Sequence, residues 1–220
     1  MEASLGMEAV ARRAPHDTEP DTEPDTEPLS AFWQGASTVP FDSDFYGAPI
    51  AGHTSQVLLQ WTPANLYLLF TCPYEQLHLK PNPDRTAETY ELWNWDVAEI
   101  FIGWDFANIR RYKEFQVSPQ SEWVDLDIDR DRAVPEEGWV WQSGCVVAGR
   151  IDEALKVWYG FIRIPWPAID TRLAAVGNRL RINFFRCQGS DPDRKYIAWQ
   201  PPQRPSFHTP EVFGTLRLVD

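Results

Sequence analysis

The chain is poor in the residues on which most enzyme chemistry is built. It has three cysteines, Cys72, Cys145 and Cys187, an odd number with no CxxC pair. That pattern gives neither a disulfide framework nor a zinc ribbon, and buried free thiols are expected. Its four histidines, His16, His53, His78 and His208, show no HxH, HxxH or HExxH spacing. Phosphate-cradling glycine loops and serine or cysteine nucleophile motifs are absent. No apolar run is long enough to span a bilayer. Arg12 and Arg13 are followed by no hydrophobic segment, so a secretory signal is not expected and the cytoplasm is the default compartment, with secretion or the periplasm as the alternative if translation starts elsewhere. Positive charge is also scarce: 20 Lys and Arg stand against 32 Asp and Glu, for a net charge of −12. This excludes nucleic acid and anionic membranes as main partners, because both need basic patches. It places no restriction on a neutral ligand.

Aromatics are plentiful. Eleven tryptophans occur in 220 residues. Most must be core, because aromatic side chains bury large areas. The first 28 residues are different in texture. They hold eight acidic side chains against two arginines and include the repeat TEP-DTEP-DTEP. So few apolar groups cannot offset the entropy of ordering, and residues 1–28 are expected to form a disordered acidic leader. Residues 29–220 are expected to form one domain, a length that buries a core without disulfides.

Within that domain, apolar runs of strand length recur between Pro, Gly, Asn and Asp. They are Gln56–Trp61, Leu66–Phe70, Val97–Gly103, Tyr112–Ser118, Trp123–Asp129, Trp139–Val147, Leu155–Ile164, Leu180–Cys187 and Gly214–Val219. They are rich in β-branched and aromatic residues, and several alternate with period two. With no long helical period, the expected fold class is all-β, an antiparallel β-sandwich of jelly-roll type. One short helical turn is expected near Trp166–Thr171, where Pro167 suits the first turn. Alternation puts Ala98, Ile100 and Ile102 on one face of Val97–Gly103 and Val97, Glu99 and Phe101 on the other. If the aliphatic faces form the core, the opposite faces display Glu99, Glu114, Gln116 and Asn183, a polar sheet surface with aromatics beside it.

Three stretches resemble one family. Trp93-Asn-Trp-Asp-Val-Ala-Glu-Ile-Phe-Ile-Gly103 is similar to a "W…D-x-x-E-x-F-I" strand. Tyr112-Lys-Glu-Phe-Gln-Val-Ser-Pro119, with Trp123 and Asp125 after it, is similar to the next strand. Ile197-Ala-Trp-Gln-Pro201 through Ser206-Phe-His-Thr-Pro-Glu-Val-Phe-Gly-Thr-Leu216 is similar to the closing segment, and the Ile-Pro-Trp ending at Trp166 also fits. That family is the family 9 carbohydrate-binding modules, in its bacterial family-9-like branch, and the resemblance implies that two aromatic side chains clamp a terminal sugar while polar groups bond its hydroxyls. By position, Trp93 and Trp199 are the implied clamp, Glu99 the implied hydroxyl acceptor and Asn183 a further polar contact. Glu114 and Gln116 stand where the best-known members have an Arg-containing strand. The implied partner is an oligosaccharide or a polysaccharide end, taken up in carbohydrate catabolism by a monomeric, non-catalytic domain.

Other chemistry remains open at this stage. Asp125, Asp127, Asp129, Asp131 and Glu136 match positions 1, 3, 5, 7 and 12 of a calcium loop, but Arg130 replaces the required glycine. A simpler structural calcium site using Asp125, Asp127 and Asp129 is the remaining metal candidate. Glu99 and Glu114 fall on neighbouring strands, so a glycoside hydrolase, or a domain associated with one, is an alternative. Haem binding is a second alternative, although both methionines, Met1 and Met7, lie outside the expected sandwich.

Overall fold

A computed structural model describes residues 7–15, 24–132 and 136–220. It contains twelve strands: β1 (Glu8–Arg13), β2 (Ser37–Phe41), β3 (Ser55–Trp61), β4 (Asn65–Pro73), β5 (Val97–Gly103), β6 (Arg111–Val117), β7 (Trp123–Asp129), β8 (Val146–Asp152), β9 (Val157–Pro165), β10 (Arg179–Gln188), β11 (Lys195–Ala198) and β12 (Gly214–Val219). Only short 3-10 turns interrupt them, one of them at Trp166–Ala168 with Pro167 in its first turn. The strands run in the order β7-β6-β5-β10-β12-β1-β3-β4-β9-β8, with β11 added to β10 and β2 to β3. The sheet folds back on itself as a sandwich. Ala98, Ile100 and Phe115 from one half meet Leu66, Phe70, Trp158 and Ile162 from the other in the main core.

The period-two reading is borne out on β5, β6 and β10. Ala98, Ile100 and Ile102 enter the main core, while Val97 and Phe101 join a second cluster on the outer face with Tyr112, Leu126, Phe185 and Cys187. All seven residues of β5 are buried, as befits a central strand covered on both sides. The run Trp139–Val147 is not a strand as expected. Trp139 ends a 3-10 turn and β8 begins at Val146. Here Gly144, at φ 75°, breaks the extended chain in a conformation that favours glycine.

The leader is the larger correction. Glu8–Arg13 are not disordered: β1 pairs in parallel with β12, from Glu8 with Thr215 to Arg12 with Val219, and with β3 at Arg12 and Arg13. Ala9 and Ala11 are buried in the main core. Part of the acidic repeat is fixed too. Trp33 Nε1 donates to the Asp25 carbonyl at 3.0 Å, and Arg150 Nη2 donates to the Thr26 carbonyl at 2.9 Å. Alanine is a weak strand former and the window EAVARR carries little apolar area. The strand exists because β12 and the end of β3 offer it partners and the core buries Ala9 and Ala11, a tertiary demand that overrides propensity. The middle of the repeat, residues 16–23, lies outside the described residues.

Deleting residues 1–14 should therefore cost stability. It removes several sheet hydrogen bonds at about 1 kcal/mol each, and at ~2–4 °C per kcal/mol for a domain of this size the melting temperature should fall by roughly 10 °C. Ala11→Asp, which places a charge in the core, should fall at least as far. Thermal melts that match the intact chain in both cases would show β1 to be dispensable.

Candidate functional site

The outer face of β5, β6 and β10 holds a pocket of about 350 Å³. Its polar floor follows from register. Glu99 lies opposite Gln116, and Glu114 opposite Phe101, so Glu99, Gln116 and Glu114 point the same way from adjacent strands. All three side chains line the pocket and are almost wholly buried. Gln116 Nε2 donates to Glu114 Oε1 at 2.5 Å. Gln116 Oε1 is buried with no hydrogen-bond partner among the described residues.

Electrostatics set the protonation of this floor. Burial raises Glu99 to about 8, against a smaller opposing pull from the Cys187 thiol and the Arg194 charge. Near neutral pH Glu99 is thus mostly a neutral acid that both donates and accepts. The Cys187 Sγ–H points at Glu99 Oε1, 3.7 Å away. Its own ionisation is pushed well up by burial and by the Glu99 charge. His208 is held down to about 4 by burial and by Arg130, so its imidazole is neutral. Tyr112 Oη lies 2.9 Å from His208 Nδ1 and also takes a hydrogen bond from Arg130. On the other side of the ring, His208 Nε2 lies 4.0 Å from Glu114 Oε2.

The walls are aromatic. Trp93 sits in the 3-10 turn Leu92–Asn94, which enters through Glu91 in the left-handed region at φ 61°. Tyr90 packs edge-on against it at 5.2 Å. Arg194 fixes the turn from across the pocket, donating from Nη2 to the carbonyls of Trp93 at 2.6 Å and Trp95 at 3.0 Å. Phe45, stacked on Tyr196 at 5.1 Å, and Phe207, stacked on Phe185 at 4.1 Å, line the pocket as well. Asp96 braces the rim. Its buried carboxylate accepts from the backbone of His78 and Gly189 and from Gln188 Nε2.

The structure thus brings together Trp93, Glu99, Glu114 and Gln116, but not the two other residues expected beside them. Trp199 is in the main core, 5% exposed. Its backbone N–H donates to Phe184 at 2.9 Å, and its ring lies against Phe184 and fills the space where Gly214 lacks a Cβ. The alternation that turns Ala198 toward the outer cluster turns Trp199 inward. Asn183 is buried and spends its amide on the loop beyond β11. Its Nδ2 donates to the Gln200 carbonyl, and its Oδ1 accepts from the backbone N–H groups of Gln200 and Phe184. The aromatic side chains that line the pocket with Trp93 are instead Phe45, Tyr196 and Phe207. Sequence reasoning missed it because a loop has no period to reveal which side chains face a sheet. Phe207 and His208, inside the closing segment, were the available signal.

The metal candidates do not converge. Asp125 accepts from Ser143 Oγ at 2.5 Å, Asp127 pairs with Lys113 at 2.5 Å and Asp129 with Arg111 at 2.7 Å. Among the described residues, no group of three or more His, Cys, Asp or Glu side chains is placed to hold a metal ion. Successive same-face residues of an extended strand are about 6–7 Å apart, too far to share one ion without a bend.

A raised carboxyl value has a definite consequence for stability. The folded state holds the Glu99 proton more tightly than the unfolded chain, whose reference value is 4.5. The contribution is full below pH 4.5 and is lost as pH rises toward 8. Glu99→Gln, permanently neutral, should flatten the pH dependence across this window and be relatively most favourable at its upper end. Denaturant melts at several pH values check this, and parallel curves for the two proteins would count against it.

Comparisons with known proteins agree with this architecture. Residues 164–218 match the family model for carbohydrate-binding family 9, which takes in the closing segment, while the β5 and β6 stretches lie outside that match. An extracellular protein of Arthroderma benhamiae is 25% identical over 141 residues, 59% of this chain, and the match spans 63% of that protein's length. Among solved structures, a candidate carbohydrate-binding protein from Bacteroides uniformis superimposes with a TM-score of 0.73 at 15% identity, covering 97% of this chain and 99% of that one. A family 9 carbohydrate-binding module from Caldicellulosiruptor kristjanssonii, in complex with cellotriose, gives 0.66 at 14% identity, covering 97% and 94%. A structure of a family 9 module from the same organism with glucose gives 0.65 at 13% identity, covering 96% and 95%. Along its length the chain has the fold of the family 9 carbohydrate-binding modules, and in residues 164–218 it carries that family's sequence pattern.

Proposed function

We propose that the pocket binds a neutral sugar unit of an oligosaccharide or polysaccharide. The observation that carries this is the buried row Glu99–Gln116–Glu114 between aromatic walls. A pyranose offers apolar C–H faces and a rim of hydroxyls, each both donor and acceptor. The aromatic rings of Trp93, Phe45, Tyr196 and Phe207 that line the pocket match the faces. A largely neutral Glu99, the unpartnered Gln116 Oε1 and the neutral His208 match the rim without the cost of burying a charged ligand. A concave, largely preformed site with a few convergent polar groups is the usual form of a small-ligand site. The cellotriose and glucose complexes of the Caldicellulosiruptor modules support the same ligand class.

Calorimetric titration with glucose, cellobiose and cellotriose tests the proposal. Trp93→Ala should lose on the order of 2 kcal/mol of binding, about thirtyfold, as a buried aromatic anchor does, with little change in melting temperature. Trp199→Ala should do the reverse, losing about 3–5 kcal/mol of stability as a core aromatic and leaving the affinity of the remaining folded protein near that of the parent. Unchanged affinity in Trp93→Ala would remove the pocket from sugar binding.

A second reading, hydrolysis of a glycosidic bond, has one observation in its favour. Glu99 is kept protonated by burial, and Glu114 is its diagonal neighbour on the adjacent strand. Diagonal pairs are about 7–8 Å apart at the backbone, near the roughly 6.5–9.5 Å carboxyl separation of inverting hydrolases. The binding reading predicts no reducing ends released from cellulose, xylan or pectin by pure protein. Release that Glu99→Gln abolishes would make the domain an enzyme.

A further inference from the structure

The opposite face of β7 carries a second cavity, an open cleft of about 650 Å³ between β7 and the segment leading into β8. Leu126 lines the pocket described above, whereas its neighbours Trp123 and Asp125 line the cleft, so the two cavities lie on opposite sides of the strand. Trp141 and Gln142 border it from the other bank, together with Ser143 and Glu88. Lys113 Nζ stands 4.4 Å from the Trp141 ring centroid and holds that ring in place.

Three polar atoms around this cleft are buried and have no hydrogen-bond partner among the described residues: Asp125 Oδ1, Glu88 Oε2 and Trp141 Nε1. Asp125 itself is 1% exposed. Its other oxygen accepts from Ser143 Oγ at 2.5 Å and from Cys145 Sγ at 3.4 Å, so the side chain is fixed. Each such orphan costs about 1–3 kcal/mol. Three of them around one cleft, two acceptors and a donor, mark a place where an external group supplies the missing bonds. Two tryptophans, two carboxyls, an amide and two hydroxyls line it, so that, like the pocket, it joins aromatic to polar side chains, on residues shared with none of it.

We propose that this cleft is a second, independent glycan-binding site, taking a neutral hydroxylated chain segment along its open groove. The ligand class rests on the sugar-binding reading of the pocket, while the residues and the geometry are separate. Burial, with the Asp125 charge, raises Glu88 to about 7, and burial raises Asp125 as well. The pair therefore carries less than its full negative charge near neutral pH, which suits hydroxyl groups better than a cation. Two sites on opposite faces of one strand would let a single domain engage a polysaccharide twice, raising avidity without new contacts.

The test is calorimetry with cellotriose on the full chain, together with NMR of the tryptophan indole N–H groups. Wild type should bind two equivalents, and Trp93→Ala should keep one, with the Trp123 and Trp141 indole signals still shifting. Gln142→Ala, a surface change chosen because Trp141→Ala also removes packing, should weaken only the cleft, by about tenfold for a lost hydrogen-bonding group. It should leave the pocket's affinity unchanged. A single equivalent abolished by Trp93→Ala and untouched by Gln142→Ala would overturn the cleft and leave the pocket standing. A single equivalent that Trp93→Ala does not affect and Gln142→Ala weakens would uphold the cleft and overturn the pocket. No binding by either variant or by wild type would overturn both.

Discussion

The strands β5, β6 and β10 are largely buried on both faces, and the pocket follows from that constraint. One face must be apolar because it closes the sandwich. The other is shielded from water by turns and loops rather than by a second sheet, so it can hold polar groups in a low-dielectric setting. A carboxylate on an open sheet surface would be solvated and ordinary. Glu99, placed on this covered face, keeps its proton near neutrality. Period-two alternation thus does more than separate core from surface here. It delivers three hydrogen-bonding side chains to one enclosed floor.

The cover that creates this setting is held by two charged side chains that do not line up with each other as an ion pair. Arg194 ties the Trp93 turn to the end of β10 through three backbone carbonyls, including that of Gly189. Asp96 ties the same region through two backbone N–H groups and Gln188. Each satisfies main-chain groups of irregular segments that would otherwise be buried without partners. This is why an aspartate and an arginine sit beside the pocket without being needed to touch a ligand. The loops are rigid because their backbone hydrogen bonds end on ionised groups, which form the stronger bonds.

How much of this was legible in the sequence depends on whether a residue lies in a periodic run. Val97–Gly103 and Trp123–Asp129 are strands with the expected boundaries, and the Glu99, Glu114 and Gln116 face was readable from alternation alone. Trp199 was misplaced because it follows a four-residue strand, too short to show which way the chain alternates. Asn183 does lie on the predicted face, but its amide is claimed by a loop 17 residues away, a contact no local pattern encodes. Phe45, Tyr196 and Arg194 come from segments whose order in space is set only by the closed sheet. β1 was hidden for the opposite reason: its sequence is locally unremarkable, and the slot it fills is made by β3 and β12.

That slot also bears on how the chain assembles. β1 pairs with β12 in parallel, Glu8 beside Thr215, so the sheet is sealed by residues from near opposite ends of the sequence. Contacts of such separation bring a large loop-closure entropy that must be met before they contribute stability, and folds dominated by them are slow to form. Until β1 and β12 are in place, Gln60–Trp61 of β3 and Arg179–Ile182 of β10 lack their partners on that side, and an unpaired stretch of strand is the kind of surface on which sheets join to the wrong neighbour. The small alanine-bearing strand is therefore the closure of the fold, and the interval before it docks is when the chain is most open to misassociation.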